Sequence, residues 1–286
     1  SIFTIFKQHF DKIFIGIFFS VYQVGLYFAV QRISLFIGTF ALAIEEMLLP
    51  AVSKLHSIQK NKEVQSLVYD TEKYISIVCI PIVAMTIVWS SEIIEVFISR
   101  EFLPASTILK LLALAALIRV INRPWSVALR GSDRPDLASI ANILSSALSV
   151  ILMLILVPKQ IPHIGLYDLP GLGGEGAAIS VLASEIFVGL SIRIFCYIYL
   201  DVPPRLSFFL QFFVAILVGV LMWQIQTNII VDRWYELFIF SALGGFLFLS
   251  VLAVLGGFTY KDFLFYWNVV NPREMTDYLK GELKRN

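Results

Sequence analysis

Apolar residues in this chain run in long blocks separated by short polar breaks. The blocks cover about 1–20, 24–50, 74–98, 105–128, 136–157, 176–200, 206–227 and 235–257. Most reach or exceed the roughly 20 residues that a helix needs to cross a bilayer. The first is the weakest, because Lys7, His9, Asp11 and Lys12 interrupt it. Breaks fall where turn chemistry predicts them, at Gly131-Ser132-Asp133-Arg134-Pro135, between Pro158 and Gly176, and at Val202-Pro203-Pro204. Pro50, Pro81 and Pro124 lie inside or at the ends of blocks, where lipid tolerates them as kinks once neighbours satisfy the freed backbone groups. Residues 54–73 read as an amphipathic cytoplasmic connector between the second and third spans. The pattern predicts an all-α polytopic membrane protein of about eight transmembrane helices.

Charge gives this array a direction. Lys54, Lys60, Lys62, Lys73, Arg130, Arg134, Arg193, Arg205, Lys261, Arg273, Lys280, Lys284 and Arg285 fall toward one side. Arg100, Lys110, Lys159 and Arg233 fall toward the other. Cytoplasmic loops carry the excess of Lys and Arg. Both termini of this segment are therefore expected in the cytoplasm, with the chain spanning the cytoplasmic (plasma) membrane many times. Phe258, Tyr260, Phe263, Phe265, Tyr266 and Trp267 crowd the exit of the last block, as an interfacial aromatic belt does. Asn271-Pro272 is expected to turn into a short charged helix.

Composition agrees with the pattern and narrows the chemistry. Of 286 residues, 58% are hydrophobic and 15% charged, against about 25% charged in soluble domains. That balance excludes an ordinary soluble enzyme, a disordered chain and a nucleic-acid-binding domain. Cys79 and Cys196 both sit in apolar blocks and suggest neither a disulfide scaffold nor a zinc site. His9, His56 and His163 are scattered, without metal-ligand spacing. No Walker sequence or nucleophile elbow is present, and no cofactor is expected.

Charges inside apolar blocks are costly in lipid and point to function by default. At about 100° per residue, Arg119, Arg123, Ser126 and Arg130 fall within roughly 60° of helix circumference. They form one polar stripe, with Lys110 opposite. A planar guanidinium fork suits phosphate, so the stripe is a candidate seat for an anionic headgroup. The alternative is that Arg123 and Arg130 snorkel to the inner interface and only set topology. Arg32 lies about 13 Å into the second block. Glu185, at similar depth from the outer side of the sixth block, is either a proton or cation coupling site or half of a structural ion pair with an Arg. Lys7 and Asp11 have i, i+4 spacing, which suits either function or mutual neutralisation. Glu45 and Glu46 read as boundary residues at the inner interface.

Residues 171–176, Gly-Leu-Gly-Gly-Glu-Gly, spell GxGxxG, but they follow Pro170 and open an apolar block rather than following a strand. Their expected role is a flexible loop and close helix packing at Gly176-Ala177-Ala178, because small residues let membrane helices approach. Glu92 with Glu95 offers a carboxylate pair for glycosyl transfer, but reads more simply as a solvated helix end. Asp168 and Glu175 in the outer loop lack a second supporting group.

Several weak motifs, in order, resemble a known family. These are Asp11-Lys12-Ile13-Phe14-Ile15-Gly16, Val24-Gly25-Leu26-Tyr27 followed by Arg32, Leu49-Pro50-Ala51-Val52-Ser53, and Gly176-Ala177-Ala178-Ile179. Arg100-Glu101-Phe102 with Ala105 stands where the family often has Gly-x-x-Tyr-x-x-Ala, a departure from its pattern. The chain resembles the C-terminal part of a polysaccharide or lipid-linked oligosaccharide flippase, of the multidrug/oligosaccharidyl-lipid/polysaccharide exporter superfamily. The resemblance implies about fourteen spans in two six-helix lobes plus an extra pair, with this chain holding the second lobe (1–200), the extra pair (201–257) and a cytoplasmic interfacial tail (258–286). It implies a first lobe before Ser1 in the same native chain.

The activity so implied is not enzymatic. A polyprenyl-linked oligosaccharide would be flipped across the membrane by alternating access, without covalent change. Arg119, Arg123 and Arg130 would receive the headgroup, Arg32 would add positive potential, and Asp11 or Glu185 would couple ions. Envelope glycosyltransferases or a polymerase would be partners. Three alternatives remain open. A drug or cation antiporter of the same superfamily would need an acid-dominated cavity. A membrane-embedded glycan polymerase or transferase would need an essential outer-loop carboxylate. A scaffold would tolerate neutralisation of every intramembrane Arg.

Overall fold

The computed structural model describes residues 14–18, 21–160, 168–204, 208–229, 231 and 233–270, and the side chains of 40–44, 208, 265 and 268–270 are not among them. Asp11, Lys7, Arg205 and the charged end of the tail lie outside the described residues. Among those described there is no strand. Residues 14–18 are helical. The rest form α1 (Val21–Ser57), α2 (Asn61–Val88), α3 (Ser90–Phe97), a 3-10 turn (Arg100–Ala105), α4 (Ser106–Gly131), α5 (Pro135–Leu156), α6 (Gly173–Leu200), α7 (Phe208–Gln226), α8 (Trp234–Val254) and α9 (Tyr260–Val270).

Six segments are long and apolar enough to cross a membrane among the described residues. They are α2, the turn with α4, α5, α6, α7 and α8. The chain is a multi-pass membrane protein. The second expected span is α1, a 37-residue helix of about 55 Å. Most of the first expected span lies outside the described residues.

Two boundaries differ from expectation. The connector at 54–73 is not a separate element, since α1 continues to Ser57 and α2 begins at Asn61. Lys, Glu and Gln propagate a helix well, and Val64 and Val68 of this polar stretch are buried, so α2 carries an amphipathic first half into its apolar second half. The third span also does not run unbroken to residue 98. Helix α2 passes through Pro81 and stops at Trp89, whose φ of −91° and ψ of 22° separate α3. Trp89 is fully buried and stacks on Phe240 of α8 at 5.5 Å.

Helix α4 is the hub, packed against α1, α2 and α6. Of these, α1 from Val21 and α6 from Gly173 run the same way as α4 from Ser106. Tyr22 donates to the Glu101 carbonyl at one end of α1, and Val52 meets Gly131 at the other. On α6, Gly174 lies against Ile108, Gly189 against Asn122, and the Cys196 thiol donates to the Trp125 carbonyl. A Cβ on Gly176 would come within 2.7 Å of the Leu156 carbonyl oxygen, so the Gly-rich segment serves close packing of α6 on the end of α5.

Apolar clusters fill both ends of this bundle. One joins α1, α4, α5 and α6 around Tyr27, Leu109, Val157 and Ala177. Another gathers Tyr69, Trp125, Leu137, Ile192 and Val202. Helices α7 and α8 pack on α2, and α8 also on α3, with Val214, Val218, Met222, Phe248 and Leu252 in the shared apolar cluster. The outward faces of α5 to α8 expose Ile143, Leu190, Ile216, Phe238 and Phe246, as lipid-facing helices do.

Helix α9 is the described part of the tail. Thr259 caps it, its N–H and hydroxyl both donating to Asp262 at 2.8 Å. Lys73 donates to both Asp262 oxygens at 2.7 and 2.6 Å, and Tyr266 donates to the Tyr74 carbonyl at 2.7 Å. One face of α9 is thus latched to α2. The other presents the stacked rings of Tyr260, Phe263 and Trp267.

Candidate functional site

The candidate site lies between the apolar clusters, along the second half of α4. From Arg119 to Arg130 every residue of α4 is buried except Arg119, Arg123, Ser126 and Arg130, which are half-buried. One open line therefore runs down an otherwise enclosed helix, and three guanidinium groups and a hydroxyl occupy it. The helix runs through Pro124 without a break.

Carboxylates on the two flanking helices meet this line. Arg119 donates from Nε and Nη2 to one Glu185 oxygen on α6, at 3.0 and 2.7 Å. Arg123 and Arg130 share Glu45 of α1, Arg123 donating to Oε2 and Arg130 to Oε1. Glu45 is thus no mere boundary residue. Its signal in the sequence was the imbalance of three arginines on one helix face, which calls for counter-charge from a neighbour. The Arg130 Nε also donates to the Ser126 carbonyl at 3.4 Å. Among the described residues, the buried Nε of Arg123 and Nη2 of Arg130 meet no acceptor.

Arg32 stands apart. It is exposed on α1 with its guanidinium over the Phe28 ring at 5.0 Å, and no ion pair among the described residues joins it to the stripe. Asp11 lies outside the described residues.

A second charged cluster sits beside the first on the buried side of α4. Sequence reasoning counted Arg193 with the loop charges and left Glu72 inside the connector. In the structure Arg193 lies within α6 and pairs with Glu72 of α2, the side chains being 12% and 1% exposed. Arg193 Nε donates to Asn122 Oδ1 at 2.9 Å, Asn122 Nδ2 donates to the Ile118 carbonyl at 2.9 Å, and the guanidinium lies 4.6 Å from the Trp125 ring centre. Gly189 makes room for Asn122, since a Cβ there would come within 2.1 Å of the amide nitrogen. The signal available in the sequence was that Arg193 is the one charge between Glu185 and Asp201, inside an apolar block.

No group of His, Cys, Asp and Glu among the described residues is arranged to hold a metal ion. Among the described residues, the three guanidinium groups of the open line are each engaged by a carboxylate from a flanking helix.

Known proteins are related to this chain in sequence and in fold. A family model described as polysaccharide biosynthesis protein matches residues 1–107. Over 152 residues the chain is 27% identical to the probable low-salt glycan biosynthesis flippase Agl15 of Haloferax volcanii, covering 53% of this chain and 32% of that one. The fold is shared with lipid II flippase MurJ in its inward closed conformation, with a TM-score of 0.62 and 18% identity, over 80% of this chain and 47% of that one. The chain thus matches less than half the length of either protein. In family-model match, sequence and fold, it resembles polysaccharide and lipid-linked oligosaccharide flippases, and its all-helical architecture is that of this exporter fold.

Proposed function

We propose that this chain is the second lobe of a lipid-linked oligosaccharide flippase. Residues 1–200 form that lobe, 201–257 an accessory helix pair, and 258–286 a cytoplasmic interfacial tail. A first lobe precedes it in the native polypeptide, which agrees with the fraction of each relative that the chain covers. The protein sits in the plasma membrane with both ends of this segment in the cytoplasm. It moves a polyprenyl-linked oligosaccharide from the inner to the outer leaflet, and no covalent bond changes.

The observation that carries this reading is the open line of Arg119, Arg123, Ser126 and Arg130 on the hub helix. Three forks within about 60° of one face suit the oxygens of a phosphate or pyrophosphate. They lie between α1 and α6, where a facing lobe would close a central cavity. Alternating access then arises from rocking of one lobe against the other. Arg32 adds positive potential along the path. Glu185 and Asp11 are the coupling sites, Glu185 by releasing Arg119 when it takes up a proton. Envelope glycosyltransferases or a polymerase would act before or after the flippase. An antiporter for organic cations would need unpaired acids facing the groove, whereas Glu45, Glu72 and Glu185 are each engaged by arginine.

The test is flipping of lipid-linked oligosaccharide by the complete protein in proteoliposomes, comparing wild type with Arg119→Ala/Arg123→Ala. At equal protein level the double variant is expected to lose at least about tenfold in rate, the effect of about 1.4 kcal/mol. Unchanged flipping would overturn the headgroup assignment.

A further inference from the structure

The charges along the α4 line are not equivalent. Among the described residues Arg119 pairs with Glu185, one charge offsetting the other. Arg123 and Arg130 share one carboxylate, so that triad carries an excess of one positive charge. The two guanidinium groups are seven residues apart, two turns of one face, and Glu45 bridges them with a different oxygen to each. A carboxylate spanning two forks through its two oxygens has the donor pattern that two non-bridging oxygens of a phosphate would have. Two further buried donors, Arg123 Nε and Arg130 Nη2, meet no acceptor among the described residues. A group with more oxygens than a carboxylate could engage them.

We infer that Glu45 is the displaceable counter-ion of the headgroup site. Its carboxylate occupies the Arg123–Arg130 forks when no substrate is bound, and a phosphate or pyrophosphate headgroup replaces it. This rests on the flippase reading and deepens it in two ways. It places the headgroup at Arg123 and Arg130 rather than at Arg119, whose charge Glu185 offsets. It also makes Glu45 a specificity-determining residue, because only an anion that outbids a tethered carboxylate gains the site. Since Glu45 is on α1, its displacement removes the side-chain tie between α1 and α4, and its return when the headgroup leaves restores that tie. Binding is thereby linked to a change in how these two helices hold together.

Competition of this kind has a defined consequence. A site that is open for only a tenth of the time binds about tenfold more weakly than its intrinsic affinity. The complete native polypeptide is reconstituted in nanodiscs, and binding of a short-chain isoprenyl pyrophosphate is measured for wild type, Glu45→Gln, Glu45→Asp and Arg123→Gln/Arg130→Gln. Glu45→Gln is expected to bind the probe about tenfold more tightly. Glu45→Asp keeps the charge on a shorter arm, reaches only one fork well, and is expected to bind about threefold more tightly. It decides the matter should Glu45→Gln fail to fold. Unchanged or weaker binding in the Glu45 variants, while the arginine double variant loses the probe, overturns the counter-ion and leaves the headgroup site standing. Undiminished probe binding by the arginine double variant overturns the headgroup site itself.

Discussion

Two guanidinium–carboxylate clusters flank the same helix and differ in nearly everything but chemistry. Around Arg193 and Glu72 the pair is nearly sealed from solvent and backed by Asn122 and the face of Trp125. Around Arg123 and Arg130 two cations share Glu45, and about 30% of each arginine side chain stays exposed. Buried charge without a partner is costly, and a well-bonded pair avoids that cost without being free to rearrange. A half-open triad with surplus charge can exchange its anion at small cost. The first cluster is built to stay as it is, the second to be changed by a ligand.

The sharpest way to break this contrast is to remove one partner from the sealed pair. Arg193→Ala leaves Glu72 buried and alone, with an expected loss of about 3–5 kcal/mol in unfolding stability, read by denaturation in detergent. Replacing both at once, by Arg193→Met with Glu72→Leu, is expected to cost less than either single change, because no charge is stranded. Next in size is Gly189→Ala. The new methyl meets an amide fixed by two hydrogen bonds, and the expected cost is about 1–3 kcal/mol in the same measurement.

The open cluster should respond in the opposite sense. Arg130→Gln is expected to change stability by less than about 1 kcal/mol, since half-exposed pairs contribute little. Headgroup binding should nevertheless fall at least about tenfold. A large stability loss with unchanged binding would erase the difference between the two clusters.

The smallest effect concerns the latch of α9. Burial raises the Asp262 carboxyl, but hydrogen bonds from Lys73 and from the Thr259 N–H and hydroxyl outweigh it and hold the group below the ordinary carboxylate range. Its contribution is therefore present above the carboxyl range of the unfolded chain and is lost as pH falls through the lower folded value. Protection of the α9 amides from hydrogen exchange should weaken on acidification. Asp262→Asn should lower that protection near neutral pH and remove its dependence on acid.

Much of the scaffold could be read directly from hydrophobic pattern. Residues 105–128, 136–157, 176–200 and 235–257 each fall within a few residues of an observed helix, because an apolar run long enough to cross lipid has few other conformations. The same reasoning misjudged residues 54–73 and the break at Trp89. Hydropathy reports where a helix is apolar, not where it begins or how a neighbouring aromatic ends it. The arginine stripe was legible because 3.6-residue periodicity is local. Its carboxylates were less so. Glu45, Glu72 and Arg193 acquire meaning only through contacts 78 to 121 residues away in sequence, and loop counting assigned Arg193 to the wrong environment. Pairing is a relation between helices, and a single helix does not carry it.

The most direct test of the central claim is photocrosslinking of the headgroup to α4. A photoreactive residue placed at Ser126, between Arg123 and Arg130 on the open line, should capture radiolabelled lipid-linked oligosaccharide in membranes bearing the complete protein. Excess isoprenyl pyrophosphate should suppress the capture. The same residue at Lys110, on the opposite side of the helix, should capture little. Equal labelling at both positions, or labelling at 126 that pyrophosphate leaves unchanged, would contradict a headgroup seat on the arginine line.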